Sequence, residues 1–74
     1  MTSLNPDEIT VTVNGNETRI ASGASVRDLL VALELDPERV AVELDRAILK
    51  KEHWAGASLR GGESLEVVHF VGGG

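Results

Sequence analysis

The run Ile9-Thr10-Val11-Thr12-Val13-Asn14-Gly15-Asn16-Glu17-Thr18-Arg19-Ile20-Ala21 spells two strands and the turn between them. Ile9, Val11 and Val13 alternate with Thr10 and Thr12, a period of two built wholly from β-branched residues. Asn14-Gly15 follows at once, the dipeptide that supplies the positive φ angles of a tight hairpin turn. Residues 17–21 return, with Thr18 and Ile20 on one face and Glu17 and Arg19 on the other.

Beyond this hairpin, Ser22-Gly23-Ala24-Ser25 breaks the pattern, and Ser25 is placed to cap a helix, with Asp28 at its positive end. Val26, Leu29, Leu30 and Leu33 form one apolar stripe. The spacing predicts a helix ending near Leu35, because Asp36 precedes Pro37 and is pushed out of helical backbone angles. Val40, Val42 and Leu44 alternate as a third strand. Asp45-Arg46 is a turn, and residues 47–49 a short fourth strand. Residues 50–54 fit a turn of helix, Leu59 a core plug, Gly61-Gly62-Glu63 a turn, and residues 65–71 a last strand.

One amphipathic helix cannot bury its own stripe. It must lie across the apolar face of the sheet, formed by Ile9, Val11, Val13, Ile20, Val40, Val42, Leu44, Leu65 and Val67. The expected class is α+β, a mixed sheet of four to five strands with one helix packed across it. This element order resembles the β-grasp, or ubiquitin-like, fold with first and last strands parallel at the centre. Residues 1–7 are expected to be a disordered N-terminal tail, 8–71 the domain, and 72–74 a flexible glycine tail.

With 74 residues and no cysteine, the chain has room for one core and holds no disulfide, thiolate metal site or thiol nucleophile. Twelve acidic against seven basic residues give a net charge of −5, which opposes nucleic-acid binding and suits a partner with a basic docking surface. No apolar run approaches the roughly 20 residues of a membrane span, and the first residues lack a signal-peptide pattern, so a cytoplasmic location is expected.

The last strand carries the functional signal. With Leu65 and Val67 toward the helix, Glu66, Val68 and Phe70 face outward. Val68 and Phe70 are either a docking patch or a surface covered by a loop or the N-terminal tail; docking is the reading adopted. Gly72, Gly73 and Gly74 follow, three of the eight glycines. A tail without side chains can thread a narrow passage, reaching roughly 10 Å when extended. Its carboxylate, anionic at neutral pH, reacts only once activated, for example as an acyl-adenylate made from a partner's ATP.

The segments Ile9-Thr10-Val11-Thr12-Val13-Asn14-Gly15, Val42-Glu43-Leu44, Lys51-Glu52-His53-Trp54-Ala55, Gly62-Glu63-Ser64-Leu65-Glu66-Val67-Val68 and Val71-Gly72-Gly73-Gly74 together resemble the ThiS family, the sulfur carriers of thiamin biosynthesis. The chain departs from the family at the Asp45-Arg46 turn, where Asn-Gly or similar is frequent, and in the seven residues before the first strand. The resemblance implies a carrier that is not itself an enzyme and binds no cofactor. A ThiF-like adenylyltransferase would thread Gly73-Gly74 and adenylate Gly74 with ATP and Mg, and a persulfide-bearing donor enzyme would convert it to a thiocarboxylate. Thiazole synthase would then receive the sulfur. Gly74 is thus the site of covalent modification, Gly72 and Gly73 are steric requirements, and Val68 and Phe70 dock partners, with no nucleic acid or membrane involved.

Two other readings stay open: another ubiquitin-like sulfur carrier, of the molybdopterin synthase small-subunit type, and a β-grasp interaction module without covalent chemistry. Trp54 is read as packing beneath a loop, His69 as a solvated strand-end residue, His53, Arg46, Lys50 and Lys51 as surface, and Asp28, Glu34 and Asp36 as helix-end electrostatics rather than a metal site.

Overall fold

Strands β1 (Glu8–Val13) and β2 (Asn16–Ala21) pair antiparallel without interruption from Glu8↔Ala21 to Val13↔Asn16. Asn14 and Gly15 both take positive φ, 51° and 84°, the mirror-image turn whose twist matches the strands it joins. The structure, a computed structural model, describes residues 7–70. Residues 1–6 lie outside the described residues, as do Val71 and the three glycines expected to thread and react. Asp7, within the expected tail, accepts a hydrogen bond at its carbonyl from the Ser22 N–H at 2.7 Å.

Helix α1 (Val26–Ala32) starts on a full capping box. The Ser25 hydroxyl accepts from the Asp28 N–H at 3.1 Å, and the Asp28 carboxylate accepts from the Ser25 N–H at 2.9 Å. Two further N–H groups of the first turn donate to the carbonyls of Ala57 and Trp54, so the loop over residues 54–58 closes that end.

The helix stops three residues before the expected Leu35. Glu34 adopts φ 60°, its N–H donates to the Val31 carbonyl, and the Leu35 N–H reaches back to the Leu30 carbonyl at 2.9 Å. This paired closure is a Schellman motif, and a left-handed residue ends a helix wherever it falls. Leu33 is therefore a cap residue, 38% exposed, and not part of the buried stripe, while Leu35 packs against the core in its stead.

Strands β3 (Val40–Leu44) and β4 (Ala47–Leu49) form a second hairpin, and β5 (Ser64–His69) completes the sheet in the order β2-β1-β5-β3-β4. The last strand lies parallel to β1 and antiparallel to β3. This is the five-stranded mixed sheet and single helix of the expected β-grasp architecture. The turn at Asp45-Arg46 has φ of 49° and 74°, the same mirror-image geometry as Asn14-Gly15 but made without glycine.

The core lies between sheet and helix. Val11, Val13, Val40, Val42, Leu65 and Val67 meet Val26, Leu29 and Leu30, with Leu59 and Trp54 closing one side. Ile9, Ile20 and Leu44 are partly buried against it. Each fully buried aliphatic side chain contributes about 1.5–3 kcal/mol, largely offset by chain entropy. Trp54 is 2% exposed and its indole N–H donates to the Leu49 carbonyl at 2.9 Å, so it packs as expected and leaves no polar atom stranded.

Candidate functional site on the final strand

Strand β5 leads to the glycine tail, and three sets of bonds hold it. Beyond the Val13↔Leu65 pair, β1 turns away at Asn14, yet the Asn14 side chain continues the ladder. Its Nδ2 donates to the Val67 carbonyl at 3.1 Å and its Oδ1 accepts from the Val67 N–H at 2.7 Å. The amide thus stands in for the next residue of β1. At the start of β5, the Asp45 carboxylate accepts from the Ser64 N–H at 2.9 Å and the Asp45 N–H donates to the Ser64 carbonyl at 2.8 Å. At its end, the Phe70 N–H donates to the Arg39 carbonyl at 2.8 Å. The strand is held on the β1 side as far as Val67 and on the β3 side as far as Phe70, the last described residue.

Parity decides what this strand shows. Leu65 and Val67 point into the core, and Val68 and Phe70, each 58% exposed, point out. Their outward orientation agrees with the sequence reading, and no described residue covers them. Strand register puts Ala41 beside Val68, and Glu43 between Glu66 and Ile48. Ile48 is 77% exposed and lines, with Phe70 and Ala41, an open groove of about 290 Å³. Ala41, Ile48, Val68 and Phe70 so form an apolar outer face larger than the two residues read from sequence.

Glu43 and Glu66 stand directly opposite each other within this face. Like charges at a cross-strand pair destabilise a sheet. Neither carboxylate forms an ion pair among the described residues. The combination is a surface suited to an apolar partner with a cationic group at its centre.

Asn14, Asp45 and Ile48 went unnoticed as site residues in the sequence. The contact between Asn14 and Val67 spans 53 positions and leaves no local trace. Ile48 carries a signal in hindsight: it sits one residue out of phase with the buried strand positions.

The remaining candidates sit apart from this surface or within the fold. His69 lies on the helix side of β5, exposed, in a groove of about 390 Å³ with Asn14, Leu33 and Leu35. His53, Lys50 and Arg46 are exposed, and Lys51 pairs with Glu38. Asp36 caps a short 3-10 turn by accepting the Glu38 N–H at 2.9 Å. Among the described residues no three His, Asp or Glu side chains gather as a metal site, and no helix is long and apolar enough to cross a membrane.

Comparisons with known proteins agree with this geometry. The chain is 38% identical over 50 residues to the sulfur carrier protein ThiS of Bacillus subtilis, covering 68% of this chain and 76% of that one. It is 36% identical over 62 residues to a thiazole synthase of Magnetococcus marinus and 37% identical to one of Paramagnetospirillum magneticum. In both, the match covers 84% of this chain but the chain spans only 19% of the synthase. The crystal structure of the thiamine biosynthesis protein ThiS from Geobacter metallireducens superposes with a TM-score of 0.77 at 33% identity, covering 89% of this chain and 100% of that one. The ThiS family model matches residues 5–74, nearly the whole sequence, and the chain belongs to the ThiS family.

Proposed function

We propose that this chain carries sulfur for thiamin biosynthesis as a thiocarboxylate on Gly74 and acts as a co-substrate of its partner enzymes, not as a catalyst. In a ThiF-like adenylyltransferase, the Gly74 carboxylate attacks the α-phosphorus of Mg-bound ATP and releases pyrophosphate. The outer sulfur of a donor enzyme's persulfide then attacks the acyl carbon and expels AMP. A thiol takes the inner sulfur as a disulfide, leaving the thiocarboxylate on Gly74. Thiazole synthase receives that sulfur. ATP and magnesium serve the partner, and the ATP-dependent step fits a compartment supplied with ATP, such as the cytoplasm.

The observation that carries this reading is the family match running through residue 74, so that it includes the glycine pair itself. Family membership favours the thiamin branch over the molybdopterin branch and over a module without covalent chemistry. Two thiazole synthases contain a segment similar to this chain, which supports thiazole synthase as a partner. The outer face supports docking: Val68 and Phe70, joined by Ile48 and Ala41, offer apolar contact, and Glu43 with Glu66 favours a basic residue opposite them. Gly72 and Gly73 act as spacers slim enough to enter an active-site passage.

The test is intact mass measurement after incubation with a ThiF-type adenylyltransferase, MgATP and a persulfide donor. One oxygen-for-sulfur exchange, localised to Gly74 by fragmentation, is the expected result. An unchanged mass under conditions that load the Bacillus carrier contradicts the proposal.

A further inference from the structure

Strand β2 is an open edge of the sheet. Across a two-residue turn the flanking pair exchanges both backbone hydrogen bonds, and every second pair along the strands does the same. Asn16, Thr18 and Ile20 therefore bond to β1, while the N–H and C=O groups of Glu17 and Arg19 point away from the sheet. Bonds on the far side of β1 agree with this phase: the Thr12 N–H donates to the Glu63 carbonyl and the Gly62 N–H to the Thr10 carbonyl. Among the described residues these outward groups have no partner. Natural edges are protected by proline, charged side chains, bulges or short length. This edge has no proline and no bulge: it runs six residues in unbroken register, and its two charged side chains, Glu17 and Arg19, are of opposite sign, so they oppose pairing only in registers that bring like charges together.

We propose that a second copy of this chain pairs with this edge, β2 against β2 and antiparallel, about a two-fold axis through Thr18. Charge selects that register. Centring the pair on Glu17 would set two carboxylates opposite each other, and centring it on Arg19 would set two guanidinium groups opposite each other. Centring on Thr18 sets Glu17 of each copy opposite Arg19 of the other, so the symmetry makes the pair twice. Both side chains are exposed, and neither is in an ion pair among the described residues. The same register matches the outward backbone groups of Glu17 with those of Arg19, joining the two sheets into one.

Thr18 meets its own mate on the helix side, a β-branched cross-strand pair. There it borders the groove that also contains Leu33 and Leu35, so pairing brings one such apolar groove to either side of the axis. The outer face of β5, β3 and β4 lies across the sheet from this edge and stays free for other partners.

Sedimentation equilibrium of the full chain at low salt tests the pairing. A monomer–dimer equilibrium is expected. Glu17→Arg weakens it at least about tenfold by turning both charge pairs repulsive, and Glu17→Arg combined with Arg19→Glu restores it. Arg19→Pro removes an outward N–H without touching the β1 ladder and leaves a monomer; if circular dichroism shows that variant unfolded, the charge-reversal pair decides. A wild-type chain that stays monomeric at millimolar concentration overturns the proposal. So does a dimer indifferent to the charge changes, or a monomer whose β2 edge accepts an added extended peptide instead.

Discussion

Replacing Asn14 removes the one side chain that carries β1 past its own end. Two bonds, at 3.1 and 2.7 Å, are lost, and both polar groups of Val67 lose their partner on that side. At about 1 kcal/mol net for each, the loss is about 2 kcal/mol. Asn14→Ala adds a methyl-bearing residue at φ 51°, costing about 1 kcal/mol more. Asn14→Gly loses the bonds but tolerates the backbone angle, so it isolates the bracket. For a chain of 74 residues the whole stability is about 4–11 kcal/mol, so these are large fractions. Urea unfolding is expected to show Asn14→Gly about 2 kcal/mol less stable than wild type and Asn14→Ala about 3. Hydrogen exchange should show the Val67 amide losing protection while the Val11 amide tracks global stability. An Asn14→Gly protein as stable as wild type, with the Val67 amide still protected, refutes the bracket.

Glu34→Gly relieves the left-handed residue that closes the helix and is expected to raise stability by about 0.5–1 kcal/mol in the same unfolding assay. Phe70→Ala alters a side chain that is 58% exposed and should shift stability by no more than about 0.5 kcal/mol, whereas Val68→Asp adds a carboxylate beside Glu43 and Glu66 on a central strand and should cost about 1 kcal/mol. Both should weaken binding to an adenylyltransferase, measured by calorimetry, at least about tenfold. Gly73→Val should unfold as wild type does yet fail to release pyrophosphate from ATP in the presence of the adenylyltransferase.

The hairpin, the helix start and the parity of β5 were legible because each rests on near neighbours. Alternating Ile9, Val11 and Val13, the pair Ser25 and Asp28, and the step from Val67 to Val68 are all local patterns. The helix end was not legible. Glu34 has good helical propensity, yet its backbone is left-handed and the turn it makes places Leu35 against the core, whereas Asp36-Pro37 points to a later stop. Leu33 followed that error to the surface. The outer face was half legible: Val68 and Phe70 follow from parity within one strand, but Ile48 joins them only through the pairing of β4 with β3 and β3 with β5. The Asn14 bracket depends on where a strand 53 residues later comes to rest, which no local pattern encodes.

The decisive measurement concerns the reacting atom. A single alanine appended after Gly74 moves the free carboxylate onto a residue with a side chain, while β5 and the core remain as they are. Intact mass after incubation with adenylyltransferase, MgATP and persulfide donor should then show no sulfur gained, with urea unfolding unchanged from wild type. Sulfur uptake by the lengthened chain at the wild-type rate would contradict the assignment of the chemistry to Gly74.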